Sequence, residues 1–193
     1  MSKNKVKFGL SNVHIFPVIE DNADSFKYGE PIHLRGAVNL SIDPEGDNDN
    51  FYADNIPYFS QFANNGYSGE LEIALITDEF KTKILGFEED ANGAIIENVN
   101  AKPVNFAMAF EFLGDKNAVR RIYYNISSSR PGDSHKTVGE KKEPETETIS
   151  IKAIPRPDTG DVTAKLEEWQ KGYEEFYKKP YEKVAKANGG ENL

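Results

Sequence analysis

Apolar residues recur at every second position in several stretches of this chain. Ile32, Leu34, Val38, Leu40 and Ile42 share one parity, while His33, Arg35, Asn39 and Ser41 share the other. Period two marks a strand with one buried face, so a single strand ending at Ile42 is predicted. Leu71, Ile73 and Leu75 alternate with Glu70, Glu72 and Ala74 in the same way. Val104, Phe106, Met108, Phe110 and Phe112 form a third set, and Ile122, Tyr124 and Ile126 are expected on one face of its return strand. Gly114-Asp115-Lys116-Asn117 between them reads as a hairpin turn. Ile149, Ile151 and Ala153 alternate with Thr148, Ser150 and Lys152. A weaker strand spans about 11–19, where Pro17 lacks a ladder donor and points to an edge position.

Two segments change to helical spacing. Thr77 is placed to cap a short helix, with Asp78 and Glu79 favourable in its first turn. Phe80 and Ile84 lie one turn apart, and Gly86 ends it. Val162, Leu166, Trp169, Tyr173 and Phe176 form an apolar stripe among Lys and Glu residues, which predicts a C-terminal helix stopped by Pro180. Asp161 to Lys165 also suit an extended start. Asp133 to Glu147 is highly charged and reads as a solvated loop or edge hairpin.

Between the strand ending at Ile42 and the next, near Ser68, lies a long stretch from Asp43 to Gly66. It opens with carboxylates and then carries Phe51, Tyr52, Tyr58, Phe59 and Phe62, with Tyr67 just beyond. Loops this long in a domain are usually functional or disordered, and disordered segments are poor in aromatics. Aromatic anchors among polar residues suit a contact surface between proteins. The strands on either side are expected to pair as a hairpin whose tip projects. These six aromatics are the candidate inter-subunit contacts.

Several short motifs follow one another along the chain. Gly9-Leu10-Ser11-Asn12 stands near the start. Gly36-Ala37-Val38-Asn39-Leu40-Ser41-Ile42 leads into Pro44-Glu45-Gly46 and Phe51-Tyr52-Ala53-Asp54. Next come Gly69-Glu70-Leu71-Glu72-Ile73-Ala74, then Phe106-Ala107-Met108-Ala109-Phe110-Glu111-Phe112, then Arg120-Arg121-Ile122-Tyr123-Tyr124-Asn125. Arg130-Pro131 and the strand before Pro155-Arg156 complete the series. In this order the motifs resemble the major tail protein family of long-tailed phages and prophages of Gram-positive bacteria. The resemblance implies a virion subunit, assembled in the host cytoplasm, whose hexameric rings stack into the DNA-conducting tail tube. It implies as partners other copies of the chain and the tape-measure, tail-tip and tail-terminator proteins. DNA would pass through without specific binding, and no membrane is involved.

Composition adds constraints. The 193 residues suit one domain with extensions: an arm over 1–10, a β domain over 11–180 and a tail over 181–193. With no cysteine there is no disulfide framework and no thiolate metal site, which fits a reducing compartment. No signal peptide or membrane-spanning segment is expected. The net charge of −9 disfavours nucleic-acid binding, which depends on Lys and Arg. It suits solubility, and it also suits a channel wall that repels phosphate.

Motifs with a catalytic or ligand-binding mechanism are missing. His14, His33 and His135 are far apart, and none has a second ligand at metal spacing. Asp43, Glu45, Asp47, Asp49 and Asp54 fail the EF-hand pattern in both registers tried, so a polar turn is expected. Ser68 lacks the second glycine of a nucleophile elbow. Arg120-Arg121 reads as a rim cation pairing across the sheet. No enzyme activity, cofactor or metal is expected.

The sequence therefore predicts a mainly β, antiparallel β-sandwich or half-barrel with a short helix after residue 77 and a C-terminal helix. Its rival is a monomeric carbohydrate- or protein-binding β-sandwich, which would present the same aromatics as a platform on a compact monomer.

Overall fold

A computed structural model describes residues 9–53, 55–113, 117–132 and 145–185, with the backbone alone at 48–53, 57, 60 and 61. In chain order the elements are β1 (Leu10–Asp21), β2 (Phe26–Tyr28), β3 (Ile32–His33), β4 (Ala37–Glu45), β5 (Asn48–Ala53), β6 (Ile56–Phe62) and β7 (Gly66–Ile73). They continue with α1 (Asp78–Lys83), β8 (Glu88–Glu89), β9 (Ile95–Ile96), β10 (Phe106–Phe112), β11 (Arg120–Ser128), β12 (Glu147–Ala153) and β13 (Thr163–Leu166). The main sheet is antiparallel in the order β2-β1-β10-β11-β12-β7-β4, with β3 beside β1 and β13 beside β11. The expectation of a mainly β, antiparallel fold holds.

Strand β10 explains the layering. Phe106, Met108 and Phe110 point into the larger core with Val13, Ile15, Leu71, Ile73, Ile126 and Ile149. Ala107 and Ala109 face the opposite way, into a second core with Phe16, Ile122, Tyr124, Leu166 and Phe176. Large residues on one face and alanines on the other let a second layer approach closely. Burying each large side chain on the inner face contributes about 1.5–3 kcal/mol. Helix α1 seals the larger core with Phe80. Thr77 Oγ1 accepts from the Phe80 N–H at 3.2 Å, and Ile84, just past the helix, is buried too.

Two bulges shift the alternation read from sequence. Ala37 pairs with Ile73 and Asn39 with Glu72, so Val38 is the extra residue and turns outward, 52% exposed. Likewise Phe106 pairs with Ile126 but Met108 with Tyr123. Ile122 and Tyr124 therefore reach the second core while Ile126 reaches the first. The strand predicted through 32–42 breaks at Gly36, which adopts φ +88°. Its first piece, β3, pairs with β1, and its second, β4, pairs with β7. Leu75 lies past the end of β7 and is exposed, while Ile76 is buried. β1 is not an edge strand. Pro17 falls between the stretches of β1 that pair with β3 and with β2, and its carbonyl accepts from the Gly29 N–H at 2.7 Å.

The predicted C-terminal helix is absent. Thr163–Leu166 is instead strand β13, paired with Arg120–Tyr123. Beyond it the chain winds through tight turns, with N–H to C=O bonds from Gln170 to Glu167, Tyr173 to Gln170 and Phe176 to Tyr173. Gly172 at φ +93° breaks any α-helix, and an added Cβ would lie 3.0 Å from the Tyr181 ring. Three-residue turns still bury Tyr173 and Phe176 but leave Trp169 62% exposed. The described chain stays packed as far as Glu182, beyond the predicted domain end at 180, through the Tyr124 Oη bond to the Tyr181 carbonyl at 2.7 Å and the Arg156–Glu182 pair at 2.9 Å. Most of the 114–117 turn and of the charged 133–147 stretch lies outside the described residues.

Candidate interaction surface

The stretch from Asp43 to Gly66 is an ordered ribbon. β4 and β7 pair from Ala37↔Ile73 to Glu45↔Gly66. The ladder then continues through N–H to C=O bonds from Asn65 to Glu45 and from Ala63 to Asp47, both 2.9 Å. Gly46 permits this close crossing, because an added Cβ would fall 1.9 Å from the Ala63 carbonyl oxygen. β5 and β6 complete the ribbon as a two-stranded sheet that, among the described residues, pairs only with itself. The hairpin thus extends the β4–β7 pair as a projecting arm.

Its side chains are arranged for contact. The register puts Phe62 on one face of the ribbon and Ile56 and Phe59 on the other, with Tyr58 the extra residue of a bulge between them. Tyr58 is 75% exposed, Phe59 57% and Phe62 76%. Isolated exposed apolar residues are ordinary, but this cluster on one two-stranded arm is not. Backbone register pairs Phe51 with Phe59 and Tyr52 with Pro57 across a bulge. Tyr67 stands apart from these five. It lies on β7, half-buried against the larger core, with its ring edge-on to Tyr123 at 5.4 Å.

The ribbon is wholly anionic, with no Lys or Arg anywhere from Gly36 to Phe80. At its base Glu45 pairs with Lys152 at 2.7 Å, and this partner holds the carboxyl below its usual range. Among the described residues no three His, Asp or Glu side chains converge. Asp54 lies outside them.

On the body, β4 is the last strand of the main sheet, so its outer edge has no ladder partner among the described residues. Beside that edge runs a groove of about 390 Å³, lined by Leu10, Val38, Leu40, Phe110, Phe112 and Arg121 among others. Arg121 has no ion-pair partner among the described residues.

Sequence distance hid other groupings. His14 and His33 pair across β1 and β3, their rings stacked with centroids 4.5 Å apart and 2° between planes. Tyr177 tilts against His14 at 4.6 Å. Burial, then the neighbouring His14 and Arg35, lower the pKa of His33. His135 lies outside the described residues. Arg120 does pair across the sheet, with Glu111 on β10, but it is largely buried and clamps two layers instead of sitting on a rim. It bonds Glu111 at 3.1 Å and the Tyr173 carbonyl at 2.6 Å, and its guanidinium lies 3.7 Å from the Tyr173 ring centroid. Arg156 is buried, held by both carboxylate oxygens of Asp158 at 2.9 and 2.6 Å and of Glu182 at 2.9 and 3.0 Å. Phe26, Tyr28 and Tyr124 surround its guanidinium. Nothing in the sequence singled out Arg156 as an ion-pair centre. Ser68 sits within β7, opposite Lys152 and Asp43, and not on a strand-to-helix turn.

Comparison with known proteins adds little. No protein-family model and no curated protein matches the chain. A solved structure described as "Cryo-EM structure of the anti-feeding prophage (AFP) baseplate, 6-fold symmetrised" aligns over 86% of this chain and 97% of its own. The identity is 11% and the TM-score 0.46, a likeness too distant to assign a family or a role.

Proposed function

We propose that this chain is a structural subunit of a phage tail tube, forming hexameric rings that stack into a DNA-conducting channel. The observation that carries the proposal is the β5–β6 arm, which exposes Ile56, Tyr58, Phe59 and Phe62 away from either core. Water-exposed aromatics on a paired ribbon suit burial against a neighbour. The motif resemblance supplies the kind of neighbour, namely further copies of the chain. A ring needs a head-to-tail interface whose rotation closes, and open sheet edges supply one. The β4 edge is available for it. In this reading the chain has no catalytic role, and its acidic charge keeps passing DNA from adhering. The inner wall of the tube would then carry more carboxylates than Lys and Arg. Partners would be other copies and the tape-measure, tail-tip and terminator proteins.

Negative-stain microscopy and light scattering over a concentration series test this reading. Monomers at low concentration and rings or tubes at high concentration are expected. A protein that stays monomeric throughout and binds a glycan through Tyr58 or Phe59 would support the rival binding module instead.

A further inference from the structure

The arm needs a receptor, and the same molecule carries a fitting one. We infer that the groove beside the β4 edge is the docking site for the β5–β6 arm of a second copy; this rests on the tail-tube reading above. Four observations support the match. The groove is walled mainly by apolar side chains, among them Leu10, Leu40, Phe110 and Phe112. It opens at Val38, which the β4 bulge turns outward. The arm presents the exposed side chains of Ile56, Tyr58, Phe59 and Phe62 as its apolar counterpart. Its charge is also complementary, since Arg121 lines the groove and the ribbon holds carboxylates without a single cation.

Backbone chemistry agrees. The outer edge of β4 and the outer edge of β6 both lack ladder partners among the described residues. An extended strand laid along such an edge gains main-chain hydrogen bonds while alternate side chains enter the pocket. The arm cannot fill its own groove. Phe62 pairs with Asn48, eight residues along the ribbon from Leu40, which is roughly 25 Å at the rise of a strand. The tip lies farther still. The contact therefore joins two copies through different surfaces. Such a heterologous joint leaves a free arm at one end and a free groove at the other, and so propagates.

The absence of cysteine allows a clean test by disulfide trapping. Val38→Cys and Phe62→Cys alter exposed side chains and leave both cores intact. Under assembly conditions, a mixture of the two single variants should give a crosslinked dimer joining Cys at 38 to Cys at 62, identified by peptide mass. The double variant should give a ladder of linked oligomers on a non-reducing gel. Val38→Glu should raise the concentration needed for long assemblies at least tenfold. Homodimers linked 62 to 62 would place two arms face to face, and homodimers linked 38 to 38 would place two β4 edges together. Either result without the mixed product overturns the docking. If tubes form normally in Val38→Glu, the groove is not the receptor although the tail-tube reading stands. If no assembly forms under any condition, both fail.

Discussion

Replacing Asn48–Phe62 with Asn-Gly removes the arm while keeping its base. Asp47 and Ala63 already bond as the ends of a two-residue hairpin turn, from the Ala63 N–H to the Asp47 carbonyl at 2.9 Å. The connection shrinks from fifteen residues to two, which lowers loop-closure entropy by about 1–2 kcal/mol. Against this stands the loss of a two-stranded hairpin, which is marginal by itself. The described aromatics lost, Tyr58, Phe59 and Phe62, are all exposed, so their removal leaves no core cavity. Net stability should therefore change by less than about 2 kcal/mol, with unaltered circular dichroism shape and cooperative melting. Stacking should disappear, because removing central aromatic anchors of an interface costs about 2 kcal/mol or more each. The assay pairs thermal denaturation with microscopy of concentrated protein. Were the arm part of the core, losing buried aromatics would cost about 3–5 kcal/mol each and the domain would unfold. An unfolded variant would refute the assignment of the arm as an external element. Long tubes from a folded variant would refute its role in stacking.

Three further outcomes are expected. Arg156→Met should destabilise by about 3 kcal/mol in chemical denaturation, because it strands the largely buried Asp158 carboxylate, while Asp158→Asn should cost less. The lowered pKa of His33 means that the unfolded chain takes up this proton more readily; stability should be full above the ordinary histidine value and decline as pH falls through it, with Gln at 33 flattening that slope in urea titrations. Phe176→Ala should cost about 3–5 kcal/mol, whereas Trp169→Ala should cost under about 1 kcal/mol, and the fluorescence of this only tryptophan should be readily quenched by acrylamide in the native state.

Local alternation made β7, β10 and β12 legible, because residues such as Ile149, Ile151 and Ala153 each face one core without interruption. The cap at Thr77 was legible because it depends on a side chain and the helical turn beside it. The failures came from events that alternation cannot register. A single extra residue at Val38 or near Asn125 reverses the facing of everything beyond it. The stripe from Val162 to Phe176 satisfies a helix as well as it satisfies a strand followed by tight turns, and the choice is made by pairing with Arg120–Tyr123, some forty residues away in the chain. The arm is visible as an aromatic-rich insertion, but Tyr67, which local composition groups with it, belongs to β7 and packs against the larger core. The His14–His33 stack and the Arg156 cluster had no local signal, because their partners meet only across the sheet.

The alanines of β10 have a consequence in time. Their face is covered by segments between Leu166 and Tyr181, more than fifty residues downstream of β10. During synthesis the central strand emerges well before its outer cover. One neighbour, β11, forms a local hairpin with it, but the other, β1, lies about a hundred residues upstream, so that pairing closes a very long loop. An apolar patch around Phe16, Ala109 and Ile122 therefore stays uncovered until the segment from Leu166 to Tyr181 has been made. Chains halted between Ser128 and Leu166 would keep this patch open and associate through it, so stalling there should yield aggregates and not short tubes.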